Sequence, residues 1–273
     1  MLRTASLAIS TIAFLAAAPD PVAPDPNSPR PMEAVDSVFI EDLTWMEIRD
    51  AMKGGVDTVV VATGGIEQNG PYIVTGKHNY VLKGTTEAIA RKLGKTLVAP
   101  IVPFVPEGDI DPPTIHMKYP GTISVSEDTF QRLLTDILAS FKTHRFKRII
   151  LLGDSGGNQA GMKAVAEKLN AAWKGSPRVI FVPEYYNNGL AAWIKQQGIE
   201  QQSEGLHDDF AMSAQLLAVD PRTIRMDQRI KAGNFRINGV DLAPAEKTIA
   251  WGRKIIEHRA EQTIQAIKKH EAK

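Results

Sequence analysis

The chain contains no cysteine, which removes disulfide frameworks, thiolate metal sites and cysteine nucleophiles together. A charge excess is missing as well. Its 32 basic and 31 acidic residues leave a formal net charge of +1, so the chain lacks the positive field that draws nucleic acid, and nucleic acid is not an expected partner. Long apolar runs are also scarce. The one at the amino end, Ala5 to Ala18, is shorter than the about 20 residues of a membrane span, and Pro19 follows it directly.

What surrounds that short run gives it a meaning. Met1-Leu2-Arg3 is a cationic head and Ala16-Ala17-Ala18 offers small residues for cleavage, so residues 1–18 read as a secretory signal peptide. The mature chain is then expected in the periplasm or outside the cell, with no membrane span after cleavage. Residues 19–31 are rich in proline, which cannot donate to a hydrogen-bond ladder, and read as an extended linker. Residues 32–273 are left as one domain of ordinary globular composition.

Within that domain, Val56 to Ala62, Thr96 to Val102, Arg148 to Leu152 and Arg178 to Val182 are short runs rich in β-branched residues and read as buried strands. Helical patterns lie between and after them: Leu43 to Met52, Tyr80 to Leu93, Ser126 to His144, Ala160 to Trp173, Ala211 to Ala218 and Ala243 to Lys269. Strand alternating with helix predicts an α/β fold, a three-layer αβα sandwich on a mainly parallel sheet. Two polar stretches, Pro103 to Ser124 and Asn187 to His207, are too long for simple connectors and are expected to frame a site.

Ligands of open α/β sheets bind beyond the carboxyl ends of the strands, and the chemistry-bearing residues fall there. Glu67 sits in the Gly-rich turn Gly64 to Tyr72 after the first strand, His78 follows it, and Asp154 ends the Arg148 run. Two carboxylates and an imidazole form a ligand set for one divalent metal, Zn or Mn. Each residue has a plainer reading: Glu67 as a solvated turn residue, His78 as a structural helix-entry histidine. Gly153-Asp154-Ser155-Gly156-Gly157 also spells a serine-protease nucleophile signature. Its strand-loop-helix context in a cysteine-free α/β chain argues against that fold, which leaves Ser155 paired with His207 as a minor hypothesis and the Gly156 and Gly157 amides as an anion cradle. His207, with Asp208 and Asp209 beside it, is either a proton shuttle or part of a helix cap. His116 lies in the long loop beside Pro120-Gly121 and is a pocket candidate. Tyr185, Tyr186 and Trp193 can wall a pocket or fill a core. His144, His258 and His270, among helical charges, are expected to face solvent.

Taken together, the Glu67-Gln68-Asn69-Gly70-Pro71 turn, the Tyr119-Pro120-Gly121-Thr122-Ile123 loop, the Gly156-Gly157-Asn158 turn and His207 before a helix resemble the creatininase family, from about Asp36 to Asp220. The resemblance implies an α/β fold, frequent assembly into hexamers, and hydrolysis of cyclic amide or related C–N bonds with two divalent metals and a shuttle histidine at His207. The ligand positions differ. Asn69 stands where the family's Glu-Gln-His-Gly-Pro carries a ligand histidine, Lys77-His78 stands for Thr-Asp, and Ser155 replaces the histidine of Asn-Gly-His-Gly-Gly-Asn.

The expected function is therefore an exported hydrolase of an amide or cyclic C–N bond in a small molecule, using one metal held by Glu67, His78 and Asp154. His207, Glu67 and Asp208 serve catalysis, while Asn69, His116, Ser155, Gly156 and Gly157 bind substrate. The alternative is a periplasmic small-molecule-binding protein that has lost the two-metal site.

Overall fold

The computed structural model describes residues 22–202, 207, 209–233 and 235–272. The expected signal peptide, the first residues of the linker (19–21) and Asp208 lie outside the described residues. The chain divides into a short unit ending at Ala34, whose described residues carry turns and bends only, and a body, Val35–Lys273, that holds every helix and strand discussed below.

Four parallel strands form the central sheet: β1 (Thr58–Thr63), β2 (Thr96–Val98), β3 (Arg148–Gly153) and β4 (Arg178–Phe181), in the order β2-β1-β3-β4. Strand residues alternate sides, and the two sides feed two cores. Val59, Val61, Ile149 and Leu151 pack against Phe130, Leu134 and Leu138 of α3 (Glu127–Thr143) and Met162, Val165 and Leu169 of α4 (Gln159–Trp173). On this side Ile48 and Met52 of α1 (Trp45–Lys53) join them. Val60, Ala62, Ile150 and Leu152 face the other way, onto Leu82 and Ile89 of α2 (Lys77–Leu93) and the carboxyl-terminal helix residues Ala260 and Ile267. Helices on both faces complete the expected three-layer sandwich.

Local chemistry fixes where the helices start. Thr44 and Glu47 cap α1 reciprocally, and Ser126 accepts from Thr129 N at the start of α3. The remaining helices are α5 (Leu190–Gln196), α6 (Phe210–Val219), α7 (Met226–Lys231) and α8 (Ala245–Glu271), with a small antiparallel pair, β5 (Arg236–Ile237) and β6 (Val240–Asp241), before α8.

Three expectations change. The Thr96 to Val102 run is a strand only as far as Val98; Pro100 has no N–H to donate, and the run regains the sheet only at the Thr63–Val102 bridge. α2 starts at Lys77 rather than near Tyr80, so Lys77 and His78 ride its first turn. Within the 187–207 stretch, α5 supplies a short helix.

β1 and β3 are neighbours whose onward connections leave on opposite faces, through α2 and α4. The crevice beyond their carboxyl ends is the switch point of the sheet.

Candidate active site

Glu67 reaches that crevice through the turn after β1. Its N–H donates to Thr75 O, and Ile66 bridges to Ile123, so the turn is pinned at both edges. At Gly70 the turn reverses with φ of 72°, a value glycine tolerates. The Asn69 amide donates to Glu67 O (2.9 Å) and Val74 O (3.0 Å). Asn69 therefore braces the turn from within and is not among the residues lining the cavity, which corrects its expected substrate role.

The structure brings Glu67, His78 and Asp154 together, as a hydrogen-bonded chain. His78 Nε2 lies 2.9 Å from Glu67 Oε1, and its Nδ1 lies 2.8 Å from Asp154 Oδ2. Asp154 is held in turn by Arg259 of α8, whose Nη2 donates to Oδ1 at 2.6 Å and whose Nη1 donates to Gln215 Oε1 at 3.0 Å. All five side chains are buried. With both ring nitrogens facing carboxylates, His78 has no free lone pair for a metal, and Asp154 is occupied by a guanidinium. The expected ligand set is thus a hydrogen-bonded positioning chain in this arrangement, and a different triad, sharing Glu67, has the donors to hold a metal ion.

That triad is Glu67, His116 and His207, whose ligand atoms all lie within 4.8 Å of one another. His116 Nε2 is 3.3 Å from Glu67 Oε2, and His207 Nδ1 is 3.3 Å from Glu67 Oε1. The two imidazoles meet edge to face at 4.2 Å. Left-handed backbone presents them: Ile115 has φ of 46° and His207 has φ of 80°, conformations that cost energy in residues with a side chain and gather at functional sites. His116 Nδ1 is buried with no hydrogen-bond partner.

A cavity of about 560 Å³ opens onto this triad. Ser155, Gly156, Gly157 and Tyr186 are among the residues that line it. Gly157 is required there, because a Cβ would lie 2.5 Å from Pro106 O. Among the described residues no histidine is within hydrogen-bond reach of Ser155 Oγ, so the serine-nucleophile hypothesis fails on geometry. Asp209 is the N-cap of α6, accepting from Met212 N at 2.6 Å. Tyr185 is fully buried beneath Arg259, and Trp193 stacks on His258 at 4.1 Å rather than walling the cavity. His258 and His270 are consequently half-buried and engaged, the latter 3.0 Å from Glu184 Oε2, whereas His144 is exposed.

Three residues of the site were not singled out in the sequence. Lys77 is 2% exposed; its Nζ lies 3.2 Å from Glu67 Oε1 and donates to His207 O at 3.0 Å. Glu107 is buried at the cavity wall, with Oε1 unpartnered and packed onto the bare face of Gly65. The third is Arg259. The signal available for Glu107 was its place in the long 103–124 loop; for Lys77 it was adjacency to His78. Arg259 gave none, being one basic residue in a charge-rich helix.

Electrostatics divides the two glutamates. Burial opposes ionisation of Glu67, but the His78 hydrogen bond and the charges of His78, Lys77 and His116 outweigh it and hold the carboxylate well below its ordinary range. For Glu107, burial and then the negative charge of Glu67 outweigh the charges of His78 and Lys77 and push its carboxyl up to about 8. Burial disfavours a charged His78, yet hydrogen bonds to Asp154 and Glu67 raise its pKa. Burial likewise opposes a charged Asp154, and Arg259 with His78 brings it below its usual value. His207 is lowered, by burial first and then by Lys77 and His116 against the pull of Glu67, which favours the neutral imidazole a metal requires.

The sequence profile of the creatininase family, described as creatinine amidohydrolase, matches residues 41–267. A 3-dehydro-scyllo-inosose hydrolase of Thermotoga maritima is 29% identical over 125 residues; the match spans 46% of this chain and only 38% of that protein. Among solved structures, a creatinine amidohydrolase (creatininase) superposes with a TM-score of 0.66 at 19% identity, covering 86% of this chain and 98% of the other. A creatininase described as the Zn–Zn type gives 0.65 at 19% identity over 86% and 98%, and one described as creatininase Mn gives 0.61 at 20% over 85% and 96%. The profile spans most of the chain, and the layered sheet agrees with it: this chain belongs to the creatininase family of amidohydrolases.

Proposed function

We propose that the chain is an exported, single-metal hydrolase of an amide or cyclic C–N bond in a small molecule. The observation that carries this reading is the Glu67–His116–His207 triad at the mouth of the cavity. The donor set fits one divalent ion such as Zn or Mn: a carboxylate held ionised, two imidazoles, one of them half-exposed with a lowered pKa. A second set of three ligand atoms does not appear among the described residues. When bound, such an ion supplies a Lewis acid and a nucleophilic water near neutral pH.

The residues around it supply the rest. Glu67 is aimed by His78, which Asp154 and Arg259 hold in place, so the ligand is oriented before anything binds. Because His207 would hold the ion, the proton-transfer role would fall to Glu107, a buried carboxyl on the cavity wall with an unpartnered oxygen. The Gly156 and Gly157 backbone lets a small planar substrate approach closely, under Tyr186. Export rests on the character of residues 1–18, and the resemblance supports a homo-oligomer, with exposed Phe104, Ile115, Tyr119 and Ile123 as the apolar surface available for it.

The test is a screen of lactams, cyclic amides and lactones before and after chelation, with metal restored. Turnover that disappears with the chelator, returns with Zn²⁺ or Mn²⁺, and falls at least about 100-fold in Glu107→Gln supports the proposal. Ligand binding without turnover in either state would favour the metal-free binding protein, a reading kept alive by the ammonium of Lys77 already resting on Glu67.

A further inference from the structure

Lys77 occupies an unfavourable place on two counts. It is buried, and it is the first residue of α2, where the helix dipole repels a cation. What offsets both is one carboxylate: Lys77 Nζ lies 3.2 Å from Glu67 Oε1, an oxygen that His78 Nε2 (2.9 Å) and His207 Nδ1 (3.3 Å) also approach, while Oε2 lies 3.3 Å from His116 Nε2. Glu67 thus already carries a fixed cation at the oxygen it turns toward His78 and His207.

We infer that Lys77 is a tethered cation standing in for a second metal ion, so that this cavity takes one divalent ion where a structural neighbour is described as the Zn–Zn type. The residue substitutions support this from another side. Asn69 is consumed in bracing the turn, His78 bridges two carboxylates, and Ser155 offers only a hydroxyl, so nothing near Lys77 completes another ligand set among the described residues. Lys77 also donates to the His207 carbonyl, which ties the segment carrying one ligand to the helix carrying the cation. The inference draws on the single-ion reading for its count, but it makes a separate claim about charge.

Lys77→Gln separates the two roles, because glutamine keeps a donor for the His207 carbonyl and loses the charge; Lys77→Arg keeps the charge. Equilibrium dialysis against Zn²⁺, with metal counted by mass spectrometry, is run on wild type and both variants after circular dichroism confirms folding. The expected result is one ion in wild type and Lys77→Arg, and one ion bound tighter by at least about tenfold in Lys77→Gln. A wild type that binds none beside a Lys77→Gln protein that binds one also supports the role of Lys77, while removing the single-metal function. Two ions in wild type, or a Lys77→Gln protein with unchanged count and affinity, overturns the inference and leaves a one-ion enzyme standing in the second case. If Lys77→Gln does not fold, anomalous diffraction from Mn²⁺-soaked wild type decides. One peak with the Lys77 ammonium still on Glu67 supports the inference; a peak that displaces the ammonium, or two peaks, overturns it.

Discussion

Arg259 and Glu107 show how far single residues in this site depend on charge partners that lie far away in sequence. Removing the guanidinium in Arg259→Met leaves Asp154 buried without its cation, and chemical denaturation should show a loss of about 3–5 kcal/mol. The double variant Asp154→Asn with Arg259→Met should lose clearly less than the two single losses summed, because the unpaired charge is gone. A loss below about 1 kcal/mol in the single variant would mean the ion pair does not carry the burial. Glu107 acts in the opposite direction. Its folded-state carboxyl binds a proton more tightly than the ordinary value of 4.5 allows, so it lowers stability as pH climbs from that value to about 8, and no further above it. In metal-free protein Glu107→Gln should therefore match wild type near pH 4 and exceed it by about 1–3 kcal/mol at pH 8, measured by urea unfolding in chelator. A gain that is equal at both pH values would show that Glu107 is not the perturbed group. Glu67, His78, Asp154, His116 and His207 were legible in the sequence because strand ends and helix starts mark them. Which of them come together as one set of ligand atoms was not legible, since that depends on Arg259 pairing with Asp154 and on His78 lying between Asp154 and Glu67.

At the scale of elements, α8 links packing to chemistry. Gly252 lets α8 lie on α6 so closely that a Cβ would collide with the Ala214 carbonyl, and Arg259 projects from the same helix toward Asp154. Gly252→Ala should cost about 2–3 kcal/mol, and it should also weaken metal retention as α8 backs away from the site. Retention unchanged at reduced stability would separate the helix from the chemistry. The strands and long helices followed from β-branched runs and apolar stripes, since each such segment has one way to bury its face. The loop over 103–124 did not follow. Its course is set by contacts made only after folding, such as Ser124 accepting from Glu107 N and Val125 N donating to Val105 O. That is why Glu107 was invisible while the frame around it was expected.

For the whole molecule, the cavity lies beyond the carboxyl ends of β1 and β3, at the switch point of the sheet where open α/β folds bind ligands. Net charge near zero is consistent with a small-molecule substrate and supplies no steering field for a polyanion. No described helix is long and apolar enough to cross a membrane. Export makes its own expectation: intact-mass analysis of the chain recovered from the periplasm should begin close to Pro19, and a full-length chain confined to the cytoplasm would contradict it. Glu67, His116 and His207, and not Glu67, His78 and Asp154, form the proposed site for a single ion. The most direct measurement is metal content of protein purified without added metal, for wild type and for His116→Ala, His207→Ala and Asp154→Asn. About one Zn or Mn per chain, lost in both histidine variants and retained in Asp154→Asn, is the expected result. An ion retained in His116→Ala but lost in Asp154→Asn, or no ion in wild type after incubation with either metal, would contradict it.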